Sequence, residues 1–562
     1  MTSSKYTTKI LVVDDERLIR LTLCAKLKAA GYEAVAVGTA AEALAILKKR
    51  HKSFSAVISD IMMDDLDGFE FRNAVRMFDP IMPFFFITAL DPEEGSGFLK
   101  RIVDDPQSYY LPKSADTGVL VKRVQRIVVS RRIEQYIENQ VNETNRSLIL
   151  AAHVQRSMLP PRAKMTERGF YTTWWRPKEV VSGDLFEAVP FGPRRYLYVL
   201  GDIQGHGTSA ALAMTAVQAF LRQLGSTETL PQSSPSDIAN LLQKFFRTSL
   251  TDVSYMTAVI CIHSPDDESI RWISCGAPDP LVVDGGRTVE TNPERRGGLP
   301  IGLMADTVYG AGDEVSTPLP ASAVCVAFTD GVLDIYRKGG ATEGLPLQPD
   351  MLNGYIADFF GEARKDGSVV AALHRVMRAC EDCGYVEMHD DVTALAFGAH
   401  LRPAGVFEAT VPVSPEHIDK LAQTVGEWCA DEGWPDDAVP RIQLVLEEKL
   451  MNVYDHGFDD RERLHEVVNV RLRRVRDGYA LTVWDTGTPE PSIAVAAGDP
   501  GTAFELINRS MSGHGRGRLM VRELCSGVER RRFCGMNETV YHIPRSPASK
   551  QDAQSEKGPA AQ

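Results

Sequence analysis

Between Lys9 and Lys113 five short apolar segments, KILVV, EAVAV, SAVIS, PFFFI and YYL, alternate with amphipathic stretches such as RLIRLTLCAKLKAAG and AAEALAILKKR. Apolar strands of this kind need cover on both faces, and the intervening helices supply it, so the pattern predicts a doubly wound parallel sheet. Such a sheet collects its functional groups at the carboxyl ends of the strands. Asp14 and Asp15 follow the first strand there, Asp60 follows the third, Thr88 ends the fourth and Lys113 follows the fifth. Two carboxylates beside a third can hold Mg²⁺, which neutralises a phosphoryl group transferred to the third, with Thr88 and Lys113 contacting its oxygens.

A chain of 562 residues is too long for one core, and at about 150 residues per domain three or four are expected. The stretch from Val119 to Met158 contains neither Gly nor Pro, and Ile137, Val141, Thr144, Leu148 and Ala151 recur at spacings of four and three. This is the seam of a short coiled coil, expected to form a dimerising helical linker. From about Phe170 to Ala399 the chain is rich in strands, glycines and turns, with helical patterns near 208–224 and 236–250. Beyond Arg402–Gly405, PEHIDKLAQTVGEWCADEG and PRIQLVLEEKLMNVYDHG read as helices, and VVNVRLRRV and YALTVWDTG as strands of a separate α+β domain. The polar ending SPASKQDAQSEKGPAAQ is expected to be disordered.

A formal charge of −13 argues against a nucleic-acid binder, because phosphate contacts need clustered Lys and Arg. The basic stretch Lys122, Arg123, Arg126, Arg131 and Arg132 reads as a solvated helix face. No run approaches the roughly 20 apolar residues of a membrane span. The nine cysteines are scattered, which suits a reducing compartment, and a cytoplasmic protein is expected. Cys380 and Cys383, with His389 nearby, lack the second pair that a structural zinc site wants.

Four acidic motifs punctuate the middle of the chain: SGDLFE (Asp184), GDIQGHG (Asp202), FTDGVLD (Asp330) and HDDVT (Asp390, Asp391). Each follows or ends an apolar segment, so the carboxylates can face one cleft, where their mutual repulsion calls for cations. Oxygen ligands select Mg²⁺ or Mn²⁺, and two such ions can clamp a phosphoryl group for in-line attack. Taken singly, an Asp-Gly pair is more often a turn former than a ligand. His206 between two glycines fits a general acid and a loop-fixing residue equally. Further on, Glu448, Asn452 and His456 share one helix face, Asp485 and Gly487 follow a strand, and Gly513, Gly515 and Gly517 form a glycine-rich loop opening a helix. Such a loop can cradle phosphate oxygens, an Asp can accept from an adenine amino group, and Asn452 can coordinate a Mg²⁺ that bridges the phosphates.

These ordered motifs carry three resemblances. The first domain resembles two-component receivers, which implies that Asp60 is the phosphoacceptor, Asp14, Asp15 and Asp60 the Mg²⁺ site, and Tyr110 the switch aromatic. Ser114 and Asp64 stand where that family usually has proline. The middle domain, with AAHVQRSMLP as its helical lead-in, resembles PP2C phosphatases of the SpoIIE/RsbU type. That implies Asp184, Asp202, Asp330 and Asp390 as ligands of two Mn²⁺ or Mg²⁺ ions, with Asp391 the alternative for the fourth. Glu187 and Gln204 depart from the usual motif without removing a ligand. The last domain resembles Bergerat-fold ATPases, specifically RsbW/SpoIIAB serine kinases. This implies ATP-Mg bound by Asn452, His456, Asp485, Gly487, Gly513, Gly515 and Gly517, and Glu448 as base; the bulky stretch around Asn452 and Pro489-Glu490-Pro491 depart from the pattern.

The whole order resembles HsbR-type partner-switching regulators. The implied domains are a receiver over 1–125, a coiled-coil linker over 126–160, a PP2C β-sandwich flanked by helices over 161–400, a Bergerat α/β sandwich over 401–546, and a tail over 547–562. Expected partners are an upstream histidine kinase, a STAS-type anti-sigma-factor antagonist as phosphoprotein substrate, a sigma factor as a further candidate, and a second copy through the linker. The competing reading is a scaffold whose last domain only sequesters an antagonist or sigma factor.

Overall fold

Ile10, Leu11, Val12 and Val13 are all buried, and successive residues enter different cores: Leu11 and Val13 one, Ile10 and Val12 the other. A strand reaches this state only with helices on both faces. The computed structural model describes residues 8–88, 101–102, 104–113, 117–166, 168–192, 194–205, 207–225, 232–250, 255–294, 296–340, 343–399, 403–458, 466–488, 521 and 523–545. The chain forms two units, Met1–Ser147 and Leu148–Gln562.

In the first unit β1 (Lys9–Val13), β2 (Glu33–Val37), β3 (Phe54–Asp60), β4 (Phe84–Thr88) and β5 (Ser108–Pro112) form a parallel sheet in the order β2-β1-β3-β4-β5. Helices α1 (Arg17–Ala29), α2 (Ala40–Arg50) and α3 (Gly68–Arg76) accompany it. The order reverses between β1 and β3, the switch point that opens a crevice at the strand ends. A single helix, α4 (Thr117–Met158), carries the glycine-free stretch. It passes unbroken through the boundary expected at residue 126.

In the second unit two antiparallel sheets face each other. One runs β14-β11-β10-β9-β8, from β8 (Asp184–Pro190), β9 (Tyr196–Ile203), β10 (Met256–Ser264), β11 (Ser269–Cys275) and β14 (Val315–Pro318). The other runs β13-β12-β15-β18-β7-β6, from β6 (Ala163–Met165), β7 (Gly169–Arg176), β12 (Leu281–Asp284), β13 (Arg287–Val289), β15 (Val324–Phe328) and β18 (Val392–Ala399). A short ribbon pairs β16 (Ile335–Arg337) with β17 (Tyr385–Met388). The period of two assigns the layers. Tyr198 and Leu200 pack between the sheets with Cys325, Ala327 and Phe397. Leu197 and Val199 turn outward under α5 (Thr208–Gly225) and α6 (Pro235–Ser249). Val324 and Val326 turn the other way, under α7 (Pro349–Asp366) and α8 (Val369–Asp382). This is the expected sandwich flanked by helices, with helices at 208–225 and 235–249 where the pattern placed them.

The remaining sheet, order β19-β20-β21-β23-β22, comprises β19 (Val406–Pro412), β20 (Val467–Val475), β21 (Gly478–Asp485), β22 (Gly527–Phe533) and β23 (Met536–Pro544). One face packs on α9 (Pro415–Asp431) and α10 (Ala438–His456), where Ile442, Val445, Leu446 and Val453 are buried as the periodicity required. Its other face is not a free surface. Trp484 and Met536 belong to the core under α7 and α8. Glu538 accepts from Trp484 Nε1 at 2.9 Å and from Arg375 of α8 at 2.8 Å. His374 Nδ1 meets the Cys534 carbonyl at 3.1 Å. Trp484 and Met536 therefore extend the core of the sandwich into the last sheet. No helix among the described residues is long and apolar enough to cross a membrane.

Candidate functional site

The strand ends of the first unit bring Asp14, Asp15 and Asp60 together, with ligand atoms all within 4.8 Å of one another. Lys113 reaches in from the end of β5, 2.6 Å from Asp60 Oδ2 and 3.6 Å from Asp14 Oδ2. Burial raises the Asp14 carboxyl above its ordinary value, and neighbouring Asp60 and Asp15 add to this against the pull of the Glu16 N–H and Lys113. Asp60 Oδ1 accepts the Ile61 N–H at 2.7 Å. Gly68, the first residue of α3, comes so close that a Cβ there would lie 2.3 Å from the Asp60 carbonyl oxygen. Thr88 ends β4, at the same edge of the sheet as Asp60. Ser114 lies outside the described residues.

In the sandwich, Asp184 opens β8 and Asp202 lies near the end of β9, directly paired across the ladder. Asp330 follows β15 and Asp390 and Asp391 precede β18, which pairs with β15. All five carboxylates thus come to one end of the two sheets. Burial pushes the Asp202 carboxyl up to about 7, reinforced by Asp330, Asp390 and Asp391. Burial and Asp390 also raise Asp330. Asp184 is raised well above its ordinary value, by burial and Asp202, although its Oδ2 accepts from Thr393 Oγ1 at 2.6 Å and Thr329 Oγ1 at 3.0 Å. Its buried Oδ1 has no hydrogen-bond partner among the described residues. This set is spread more widely than the Asp14 trio, which is the one group among the described residues gathered within 4.8 Å; two ions need ligands spread over two coordination shells.

Asp391 is committed to the backbone. Its Oδ1 accepts the Lys178 N–H at 2.7 Å and its Oδ2 the Gly183 N–H at 2.8 Å, fixing the loop that leads into Asp184. Asp390 accepts the neighbouring Asp391 N–H at 2.8 Å. The two acidic loops approach so closely that a Cβ on Gly331 would sit 1.9 Å from the Asp391 carbonyl oxygen. The Asp-Gly pair of FTDGVLD is therefore a requirement of close approach, not of a turn. Gly331→Ala is expected to drive the loops apart, lowering the unfolding midpoint in thermal denaturation by several degrees.

Sequence reasoning missed Thr329 and Thr393, which flank the acidic motifs, and Gln155. On α4, buried Gln155 grips one residue with both amide atoms: Nε2 donates to the Ser182 carbonyl at 2.6 Å and Oε1 accepts the Ser182 N–H at 3.0 Å. Ser182 Oγ in turn accepts the Asp184 N–H at 3.1 Å. Ala151, placed on the coiled-coil seam, instead packs against Ala152, Val181 and Ala211 of the same chain; Ile137 and Val141 remain exposed. His206 lies outside the described residues.

On α10, Asn452 Nδ2 donates to Glu448 Oε1 at 3.1 Å, so the i, i+4 pair does share a face. His456 ends the helix, its carbonyl accepting from Thr488 Oγ1 at 2.7 Å. Asp485 Oδ1 accepts from Asn537 Nδ2 at 2.6 Å and the Gly487 N–H at 3.1 Å. Its Oδ2 lies 3.2 Å from Nζ of Lys449, a buried cation the sequence reading did not single out. Gly487 packs on Gly457, where a Cβ would meet the carbonyl oxygen at 2.7 Å. A cavity of about 330 Å³ opens beside this glycine, between Thr486, Thr488, Arg532 and the end of α4. Gly513, Gly515, Gly517 and Pro489-Glu490-Pro491 lie outside the described residues.

Three stretches of the chain match known families. Residues 10–125 match the response regulator receiver domain, 192–400 the Stage II sporulation protein E (SpoIIE) family and 411–540 the histidine kinase-like ATPase domain. Phosphoserine phosphatase RsbP of Bacillus subtilis (strain 168) is 23% identical over 195 residues, covering 34% of this chain and 46% of RsbP. The probable transcriptional regulator ycf27 of Porphyridium aerugineum is 32% identical over 132 residues, 23% of this chain and 51% of that protein. This chain thus spans about half the length of either relative. The solved RsbU and RsbW domains of a Mycobacterium tuberculosis protein align with 69% of this chain and 97% of their own, at 19% identity and a TM-score of 0.35. In the order of its sequence, the chain joins a response regulator receiver, a SpoIIE-family (PP2C) phosphatase domain and a histidine kinase-like ATPase domain.

Proposed function

We propose that this response regulator, once phosphorylated on Asp60, controls metal-dependent removal of phosphate from a phosphoserine or phosphothreonine of a protein, with an anti-sigma-factor antagonist the candidate substrate. The observation that carries the reading is the buried carboxylate set of the sandwich, whose members raise one another's proton affinity and leave Asp184 Oδ1 without a donor. A site in this state carries more negative charge than its own groups offset, and that is what a cation site looks like when its ligands are protein oxygens. Asp184, Asp202, Asp330 and Asp390 would hold two Mn²⁺ or Mg²⁺ ions. Such ions polarise a phosphoryl group and furnish a hydroxide at neutral pH.

The chain's own residues orient the rest. Thr329 and Thr393 hold Asp184 through one oxygen, so the other faces the cleft. Asp391 fixes the 178–183 loop and leaves the ligand role to Asp390. In the receiver, Asp14 and Asp15 would hold one Mg²⁺, Lys113 would pair with a phosphoryl oxygen on Asp60, and Thr88 would follow that oxygen. The grip of Gln155 on Ser182, two residues before Asp184, lets a shift of α4 move a metal ligand. The exposed Ile137 and Val141 are the surface through which a second copy would bind α4.

The last domain is proposed to bind ATP-Mg through Asn452, His456, Asp485 and Gly487, with Gly513, Gly515 and Gly517 as the phosphate loop, and to rephosphorylate the same protein through Glu448. One observation favours the scaffold alternative: the Lys449 ammonium stands 3.2 Å from the second oxygen of Asp485, the residue proposed to accept from an adenine amino group. ATP turnover by wild type and by Glu448→Ala distinguishes the two. A kinase loses turnover in the variant; a binding module shows none in either.

The phosphatase reading is tested by hydrolysis of p-nitrophenyl phosphate with Mn²⁺ and with a chelator. Turnover that needs the metal supports it, and equal silence in both leaves the scaffold.

A further inference from the structure

We propose that the loop from Leu299 to Val308 is the surface on which the phosphatase receives the polypeptide around the phosphorylated residue, and that it selects bulky apolar side chains flanking that residue. The inference rests on the phosphatase reading above and adds the substrate class.

The loop is an inversion of an ordinary surface segment. Leu299, Leu303, Met304 and Val308 are 47%, 46%, 58% and 80% exposed. Between them stands a single charge, Asp306. The polar backbone, by contrast, is turned inward onto α6. Gln243 donates to the Met304 carbonyl and accepts the Gly302 N–H, both at 2.7 Å. Arg247 donates to the Ala305 carbonyl at 2.8 Å. Asn240 bonds both the carbonyl and the N–H of Tyr309, at 2.8 and 2.9 Å. Tyr309 Oη closes the loop on the Leu299 carbonyl at 2.9 Å, and buried Ile301 and Tyr309 anchor it in the core. Four large apolar side chains are thus displayed in water by a segment that is held in place. Water-exposed apolar groups grouped this way mark an interaction surface, and a preorganised display lowers the ordering cost of binding.

Position names the occupant. Ile301 bonds Met256 in both directions at 2.8 Å, and the next residue, Thr257, is the ladder partner of Asp202. The loop therefore stands at the end of the sheet where Asp202 lies. A polypeptide whose phosphate reaches Asp202 would lay its neighbouring residues on a rim that offers apolar contact and almost no charge. An apolar rim rewards apolar flanks and leaves polar ones unpartnered.

The test uses the full chain with Mn²⁺ and three substrates. They are p-nitrophenyl phosphate, a phosphoserine peptide with Leu and Phe on either side of the phosphoserine, and the same peptide with serines there. The expected wild-type kcat/KM is at least about 10-fold higher for the apolar peptide. Met304→Ser with Val308→Ser should bring it down to the level of the polar peptide while p-nitrophenyl phosphate turnover is unchanged. Equal wild-type kcat/KM for the two peptides, with p-nitrophenyl phosphate hydrolysed normally, overturns the proposal, as does a variant that keeps the preference. Failure on all three substrates overturns the phosphatase reading itself and this proposal with it. The wild-type ratio decides even if the variant folds poorly, which lost p-nitrophenyl phosphate turnover would reveal.

Discussion

Asp202→Ala is expected to lower Mn²⁺-dependent hydrolysis of p-nitrophenyl phosphate by at least about 10³-fold, some 4 kcal/mol of transition-state stabilisation, without unfolding the protein. Asp202 is the carboxylate most enclosed by its own kind: burial first, then Asp330, Asp390 and Asp391, push it up to about 7. A carboxyl raised in this way costs stability at neutral pH when no cation is present, so deleting it relieves repulsion. In chelator the variant's melting temperature should therefore equal or exceed that of wild type. Adding Mn²⁺ should raise the wild-type midpoint and leave the variant's where it was. Activity and metal response lost together, with the chelator midpoint kept, identify a cation ligand. A lowered midpoint in chelator would instead give Asp202 a structural role.

Acidification should destabilise the second unit through two histidines. His263, beside the stacked rings of Tyr198 and Phe397 in the inter-sheet core, and His374, against the Cys534 carbonyl, are fully buried. Burial holds each imidazole down at about 4, with Arg364 adding to the effect at His263. Both are neutral in the folded chain at pH 7, whereas an unfolded imidazole titrates near 6.5. The stability of the neutral forms is complete above pH 6.5 and is lost as the pH falls toward 4, by about 3 kcal/mol for each histidine. Against a total of about 5–15 kcal/mol that loss is large. The raised carboxyls Asp184, Asp202 and Glu187 work in the opposite sense, gaining stability on acidification. The histidine contribution is isolated by comparison with His263→Phe, which suits the aromatic site. The fall in urea unfolding free energy between pH 7 and pH 5 should shrink in the variant by about half the two-histidine total. An unchanged pH slope would show that His263 charges without cost.

Much of the architecture was legible because it is periodic. The all-apolar strands around Val12, Ile58 and Phe85 could be buried only by helices on both sides, and the order of Asp14, Asp60, Thr88 and Lys113 followed from strand ends. In α10 a four-residue spacing put Glu448 and Asn452 on one face, opposite Ile442 and Leu446, and the two side chains do bond. The four acidic motifs could likewise be assigned to strand ends from their apolar lead-ins.

What periodicity could not carry are relations between residues far apart in the chain. Asp390 and Asp391 are equivalent in sequence; the backbone N–H groups of Lys178 and Gly183 separate them, more than 200 residues away. Gly331 reads as half of a turn until Asp391 is seen 1.9 Å from the place of its absent Cβ. Gln155 looks like any polar helix residue, and Lys449 like a solvated cation, until Ser182 and Asp485 stand opposite them. Nor does any local pattern foretell that the outer face of the last sheet is closed by Arg375 and the core beneath α8. Local spacing sets which face of an element is apolar. What covers that face, and which polar groups must be satisfied there, is decided only when distant segments compete for the same buried volume.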